Sequence, residues 1–158
     1  MKIVSKDHWF WRGMGRVLMN PRFCTHMATT IGPVVAVPDA WIGRLFVDHR
    51  IMLKHEAVHI EQYRRLGLGN EWLGILPMMV VYLLSPLPVG FSWGRWLLER
   101  EAYVVTLQEL KKTHGPIALA HRRWMIVNSL TSGAYGWTLP PWKWVRRYME
   151  GWFANECK

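Results

Sequence analysis

The sequence predicts a mainly α fold with one small sheet, of the α+β class, from three features. Two long stretches, 48–66 and 94–112, carry apolar residues at helical spacing. A short β-branched stretch at 29–37 is divided by a Gly-Pro turn, as in a hairpin. The length of 158 residues fits one domain. We expect that domain to have its core at about 29–110 and a C-terminal helical cap at 111–158.

The N-terminal half is expected to hold the hairpin and then the first long helix. The hairpin turns at Gly32-Pro33, and Asp39 behind it is expected to cap a short helical turn. The helix at 48–66 ends at Gly67-Leu68-Gly69-Asn70, a C-terminal stop signal. The small sheet therefore comes directly before the longest uninterrupted helix of this half.

The C-terminal half is predicted to be helical between breaks that contain proline or glycine. We expect helices at about 77–84, 94–112, 117–130 and from 142 onward. The breaks are Ser85-Pro86-Leu87-Pro88, His114-Gly115-Pro116 and the stretch 132–136.

Composition and charge exclude several classes of protein and leave two kinds of anionic partner. A hydrophobic fraction of 51% excludes intrinsic disorder and low-complexity chains. With 20 Lys and Arg against 11 Asp and Glu, the net charge is +9, which suits nucleic acid or anionic lipid. Nucleic acid is not expected, because no nucleic-acid motif is present. An anionic membrane surface is retained, since Trp142, Trp144 and Trp152 stand among basic residues.

The cysteines and the N-terminus predict a cytoplasmic protein, with membrane association as the alternative. Cys24 and Cys157 have no CxxC spacing, and the first residues lack an apolar signal segment. Residues 72–93 carry no charge over a length that could cross a bilayer. Pro77, Pro86 and Pro88 interrupt this stretch, which favours core or membrane-surface packing over a span.

One motif, His55-Glu56-Ala57-Val58-His59, carries the most specific chemistry. Residues four apart lie on one helix face, so both imidazoles can bind the same ion. Glu56 stands beside that face and can take a proton from a water on the ion. Catalytic zinc uses three protein ligands and one open position, so a third ligand is required. Five further histidines, none at ligand spacing, are expected to have surface or core roles: His8, His26, His49, His114 and His121.

Two carboxylates on the next long helix are candidates for the third ligand. Glu99 and Glu101 are two residues apart, so they point about 200° away from each other and only one can face an ion. Periodicity groups Glu101 with Leu97, Leu98 and Val105, and Glu99 with Trp96 and Ala102. Spacing by itself leaves both alternatives open.

The two motifs together resemble the gluzincin class of zinc metallopeptidases. The match is His55 to His59 followed by Glu99-Arg100-Glu101-Ala102-Tyr103, over roughly 29–110. It is nearest to enzymes with an E-x-x-A-D motif, such as the CAAX-prenyl-protease type, and to small bacterial and phage proteins with HExxHxxQ and EREAY. The resemblance implies a zincin-like domain in which Glu99 binds zinc. The class has Asp where this chain has Tyr103, which keeps Glu101 as an alternative.

The function expected from these residues is zinc-dependent hydrolysis of peptide bonds. His55, His59 and Glu99 would hold Zn²⁺, and Glu56 would be the general base. Tyr135 and Tyr103 are candidate oxyanion donors. The expected substrate is a peptide or protein, held along the strand at 29–37. The alternative is a non-catalytic metal-binding or membrane-associated interaction protein.

Overall fold

The computed structural model describes residues 1–17, 23–42, 47–84, 93–131 and 143–157. The chain forms two compact units, Met1–Ile75 and Leu76–Lys158. Helices account for most of the described residues and one three-stranded sheet for the rest of the regular structure. The mainly α, α+β fold class is confirmed, whereas the single domain stays a prediction.

The sheet of the first unit has β3 at its centre. Its strands are β1 (Lys2–Ser5), β2 (Thr29–Ile31) and β3 (Val34–Val37), in the order β1-β3-β2. The hairpin of β2 and β3 is antiparallel, as predicted, and Gly32 in its turn has a φ of 55°. Strand β1, which pairs with β3 in parallel, was not predicted. No turn residues mark the bounds of this four-residue segment, so the sequence alone did not indicate a strand. The segment is a strand because it pairs with β3.

Helix α3 (Val47–Leu66) packs against this sheet, and three shorter helical elements precede it within the described residues. These are α1 (Trp9–Val17), α2 (Phe23–His26) and a 3-10 turn (Asp39–Trp41). The expected cap by Asp39 is wrong, because the N-cap position is Pro38 and no side chain caps the turn. Asp39 Oδ1 instead accepts a hydrogen bond of 2.9 Å from Ser5 Oγ, at the end of β1.

The predicted stop after α3 is a tightly packed turn. Leu68 has a φ of 53° and Gly69 a φ of 95°, while the amide of Gly67 donates to the carbonyl of Tyr63 at 2.9 Å. A Cβ added to Gly74 would lie 1.8 Å from that same carbonyl oxygen. The turn therefore needs glycine at 74, where the backbone closes onto the last turns of α3.

The second unit contains long helices around an aromatic core. Helix α4 covers Ile75–Leu84, α5 covers Trp93–Leu130 and α6 covers Lys143–Glu156. Gly115 interrupts α5 with a φ of 78° and a ψ of −175°, so the predicted break before Pro116 is confirmed. The predicted breaks at 85–88 and 132–136 lie outside the described residues. The buried core comprises Trp96, Leu107, Ile126, Val127, Leu130, Met149, Phe153 and Cys157.

Within the described ranges, no helix combines the length and the apolar character that a bilayer crossing requires. The charge-free stretch at 72–93 enters α4, which has 10 residues. A bilayer core needs about 20 helical residues. Residues 85–92 of this stretch lie outside the described residues, so its packing stays a prediction.

Candidate metal centre

Helix α3 presents polar residues to the interior of the first unit. Ile60 packs against Val35 and Val37 of the sheet and sets the rotation of the helix. On this side Glu56, His59 and Gln62 are 8%, 9% and 4% exposed. Buried charged and amide side chains are rare unless they are paired or bind a metal. Their concentration on one helix marks a candidate functional site.

The two histidines of the motif converge, as the four-residue spacing predicts. The Nε2 atoms of His55 and His59 lie 3.3 Å apart. Their rings are 5.0 Å apart between centroids, with planes at 77°. Zn–N bonds of about 2.0–2.1 Å at a tetrahedral angle place two ligand nitrogens about 3.3–3.4 Å from each other. The separation of the two Nε2 atoms therefore fits a shared tetrahedral ion.

Gln62 fixes the orientation and the tautomer of His59. The Nδ1 of His59 lies 2.9 Å from Gln62 Oε1, an oxygen that can only accept. With Oε1 as the acceptor, the imidazole N–H of His59 is at Nδ1, and Nε2 is the ring nitrogen that can bind an ion. Metal-binding histidines usually have such a partner on the second ring nitrogen. The donor set thus fits a metal such as zinc, which takes neutral imidazole.

The general-base candidate Glu56 is held by the sheet. Thr30 Oγ1 donates a hydrogen bond of 2.6 Å to Glu56 Oε2. The hydroxyl of Tyr63 donates to the carbonyl oxygen of Thr30 at 3.0 Å. Both bonds join β2 to α3, so the carboxylate is fixed relative to the histidines on its own helix. Such preorganisation is what a group that moves a proton requires.

Two neighbouring groups have pKa values that are shifted by burial. Burial raises the pKa of Tyr63 to about 12, and the negative charge of Glu56 adds to the rise. Burial lowers the pKa of Lys6 to about 8, against the opposing charges of Cys24 and Glu56. The Nζ of Lys6 donates to Met27 O at 2.9 Å and to Thr29 Oγ1 at 2.6 Å. Thr29, which accepts this bond from Lys6, directly precedes Thr30 on β2, and Thr30 is the residue that donates to Glu56.

Of the two candidate third ligands, Glu99 is the buried one. On α5 Glu99 is 8% exposed, and Glu101 is only partly buried. The face that periodicity assigned to Trp96 and Ala102 is therefore the buried face, and it carries Glu99.

The remaining predicted residues have other surroundings or lie outside the description. Tyr103 packs against the core around Trp96, and Tyr135 is outside the described residues. His49 stacks on Trp41 at 4.8 Å between ring centroids. Among the described residues, none of the five other histidines groups with His55 and His59, namely His8, His26, His49, His114 and His121.

Sequence reasoning missed the roles of Thr30, Tyr63 and Lys6. Gln62 had a local signal, because a residue three positions after a helical histidine shares its face. Thr30 is 26 residues from its partner Glu56, and no spacing rule connects a strand to a helix over that distance. No protein-family model matches the chain, and no significant similarity was found to a curated protein or to a solved structure.

Proposed function

We propose that this chain is a zinc-dependent metallopeptidase of the gluzincin kind. The observation that carries the proposal is the pair of Nε2 atoms 3.3 Å apart on α3, with the buried carboxylate of Glu56 on the same helix. Two converging imidazoles and an adjacent carboxylate are the donor set and the base of metal-assisted hydrolysis.

His55, His59 and Glu99 would hold the ion. The Nε2 atoms of His55 and His59 lie 3.3 Å apart, and Glu99 is the third ligand that the resemblance to gluzincins implies. A bound Zn²⁺ supplies a Lewis acid and lowers the pKa of a coordinated water to about 7. Glu99 is 8% exposed, and metal coordination is one of the roles in which a carboxylate is found buried.

Glu56 would transfer the protons of the reaction. It takes a proton from the attacking water as the oxygen bonds to the scissile carbonyl carbon. It then delivers that proton to the amide nitrogen as the C–N bond breaks, so the carboxylate is regenerated. The hydrogen bond from Thr30 to Oε2 keeps the carboxylate in one orientation during both transfers.

A peptide substrate is favoured by the position of β2. This strand is at an edge of the sheet, in the order β1-β3-β2, and its Thr30 contacts Glu56. An extended peptide can add to such an edge through main-chain hydrogen bonds. The scissile bond would then run alongside the strand that positions the general base.

Metal content and activity test this proposal together. Wild-type protein and the variants His59→Ala, Glu99→Ala and Glu101→Ala are purified in parallel, and zinc per chain is measured by elemental analysis. We expect about one zinc in wild type and in Glu101→Ala, and a loss in the other two. Glu56→Gln should keep its zinc but lose at least about 10²-fold in peptidase activity. Folded wild type without zinc, or full activity in Glu56→Gln, would overturn the proposal.

A structural metal site is the second candidate, and burial is the observation that favours it. His59 is 9% exposed, and Glu56 and Glu99 are each 8% exposed, whereas a catalytic ion needs an open position for water. A chelator should remove a structural ion and the fold together, as followed by circular dichroism. If the ion is catalytic, the chelator abolishes hydrolysis while the helical signal remains.

A reducing, cytoplasmic compartment belongs to the same proposal. Cys24 and Cys157 are both free thiols, as is usual where glutathione keeps cysteines reduced.

A further inference from the structure

The second part of α5, residues 116–130, has an exposed face that combines apolar and basic side chains. Ile117 is 86% exposed, Trp124 56% and Met125 42%. At about 100° per residue, Ile117 and Trp124 lie within about 20° of each other around the helix. His121 joins them and stacks on Trp124, with ring planes at 23°. We call this surface, comprising Ile117, His121, Trp124 and Met125, the Trp124 face.

The opposite side of this helix is fully used by the core. Ile126, Val127 and Leu130 are at most 4% exposed and pack in the cluster around Trp96. The segment is therefore anchored on its inner side and has a second, unrelated apolar face on the outside. Core packing does not explain why Ile, Trp and Met occupy that outer face.

The surrounding sequence is strongly basic. No acidic residue occurs between Glu109 and Glu150, whereas that interval contains Lys111, Lys112, Arg122, Arg123, Lys143, Arg146 and Arg147. Arg122 is exposed next to the Trp124 face, and Arg147 is exposed on α6. Arg146 donates to Asn128, which ties the basic start of α6 to the same helix. Positive charge therefore accompanies the exposed apolar side chains throughout this part of the unit.

We propose that the Trp124 face docks on the surface of an anionic lipid bilayer. An interfacial helix buries Trp and aliphatic side chains at the boundary between headgroups and acyl chains, while Lys and Arg reach the lipid phosphates. A second copy of this chain fits less well, because both partners would bring the same excess of positive charge. A nucleic acid would leave the aliphatic Ile117 and Met125 without a contact of comparable value.

Vesicle binding by the full chain tests the proposal. The fraction of protein that floats with phosphatidylcholine vesicles is compared with the fraction that floats with mixed phosphatidylcholine–phosphatidylserine vesicles. Wild type should bind the mixed vesicles, and high salt should weaken the binding. The double variant Ile117→Ser, Trp124→Ser should lose at least about tenfold in partition coefficient. Arg122→Gln should lower the preference for phosphatidylserine.

A matched control distinguishes binding through the Trp124 face from non-specific binding through any exposed tryptophan. Trp9→Ser removes a tryptophan that is 74% exposed on α1, and it should change the partition coefficient by less than about twofold. All the substituted side chains are exposed, so the circular dichroism spectrum and the Tm of each variant should stay at wild-type values. Absence of wild-type binding to mixed vesicles, or equal binding by the double variant, would overturn the proposal. Binding of an RNA oligonucleotide that depends on Arg122 and not on Trp124, without vesicle binding, would also overturn it.

The proposal is independent of the metallopeptidase assignment. Glu56 lies on α3, far along the sequence from the Trp124 face. The Glu56→Gln protein should lose hydrolysis but bind vesicles as wild type does.

Discussion

Thr30 Oγ1 donates a hydrogen bond of 2.6 Å to Glu56 Oε2, and this bond joins strand β2 to helix α3. Tyr63 adds a second link between the same elements, from its hydroxyl to the carbonyl of Thr30 at 3.0 Å. These two bonds fix α3 against the edge strand β2 close to Glu56, the candidate general base. Catalytic groups held in this way lose less activity to misorientation than groups on a free helix face.

Removal of the threonine hydroxyl should therefore lower activity without removing the metal. In Thr30→Val the Glu56 carboxylate loses its donor while the β-branched shape suits the strand. We expect kcat to fall about tenfold and zinc per chain to stay at the wild-type level. Thr30→Ser, which keeps the hydroxyl, should retain most of the activity. Equal kcat in Thr30→Val and wild type would show that this hydrogen bond does not position the base.

Loss of the Gln62 amide should weaken metal binding. Gln62 Oε1 accepts the imidazole N–H of His59 at 2.9 Å, and replacements of such partners typically cost about 10–100-fold in metal affinity. Gln62→Leu should show a loss of this size in zinc titrations with a competing chelator. Gln62→Glu also accepts the bond and should bind zinc at least as tightly as wild type. Glu61→Gln, on the exposed side of α3, is the control that should not change.

The buried Lys6 should make the protein more stable as pH rises above 8. Its pKa falls from an ordinary 10.5 to about 8 in the folded chain, so between these values the unfolded state binds more protons. The free energy of unfolding then increases with pH. We expect an increase of about 2 kcal/mol between pH 8 and pH 10. Denaturant unfolding across this range should show the increase in wild type and a smaller one in Lys6→Met. Identical slopes for both proteins would contradict the assignment to Lys6.

The turn after α3 should not tolerate a methyl group at position 74. A Cβ on Gly74 would lie 1.8 Å from the carbonyl oxygen of Tyr63, so Gly74→Ala must displace backbone. We expect a loss of about 3 kcal/mol or more in the free energy of unfolding. Gly151→Ala is the matched control, because a Cβ there meets nothing within 4 Å and alanine favours helix α6. A stable Gly74→Ala protein would mean that the turn is looser than described.

Leu68 in the same turn should be replaceable with a gain in stability. Its φ of 53° is unfavourable for leucine, and its side chain is 96% exposed. Glycine and asparagine adopt this backbone conformation at lower cost. Leu68→Gly and Leu68→Asn should raise the free energy of unfolding by about 0.5–1 kcal/mol. Thermal unfolding gives the test, and a lower Tm for both variants would indicate that Leu68 makes a stabilising contact.

The local parts of the candidate site could be predicted from the sequence. The convergence of His55 and His59 follows from the geometry of one helix. The stop after Leu66 was predicted from the glycines at 67 and 69, and of these Gly69 has a positive φ, as Leu68 does. The hairpin of β2 and β3 was predictable because its two strands are adjacent in the chain. The interaction of His59 with Gln62 also depends only on a spacing of three residues.

The remaining parts were decided by contacts between residues that are distant in the chain. Strand β1 exists because it pairs with β3, and Thr30 meets Glu56 because α3 packs on the sheet. Lys6 is buried through its bonds to Met27 and Thr29. Glu99 is buried whereas Glu101 is only partly buried, a difference that spacing along the helix left open. Spacing along one helix specifies which residues share a face, but only the packing of apolar surface selects the face that leaves water.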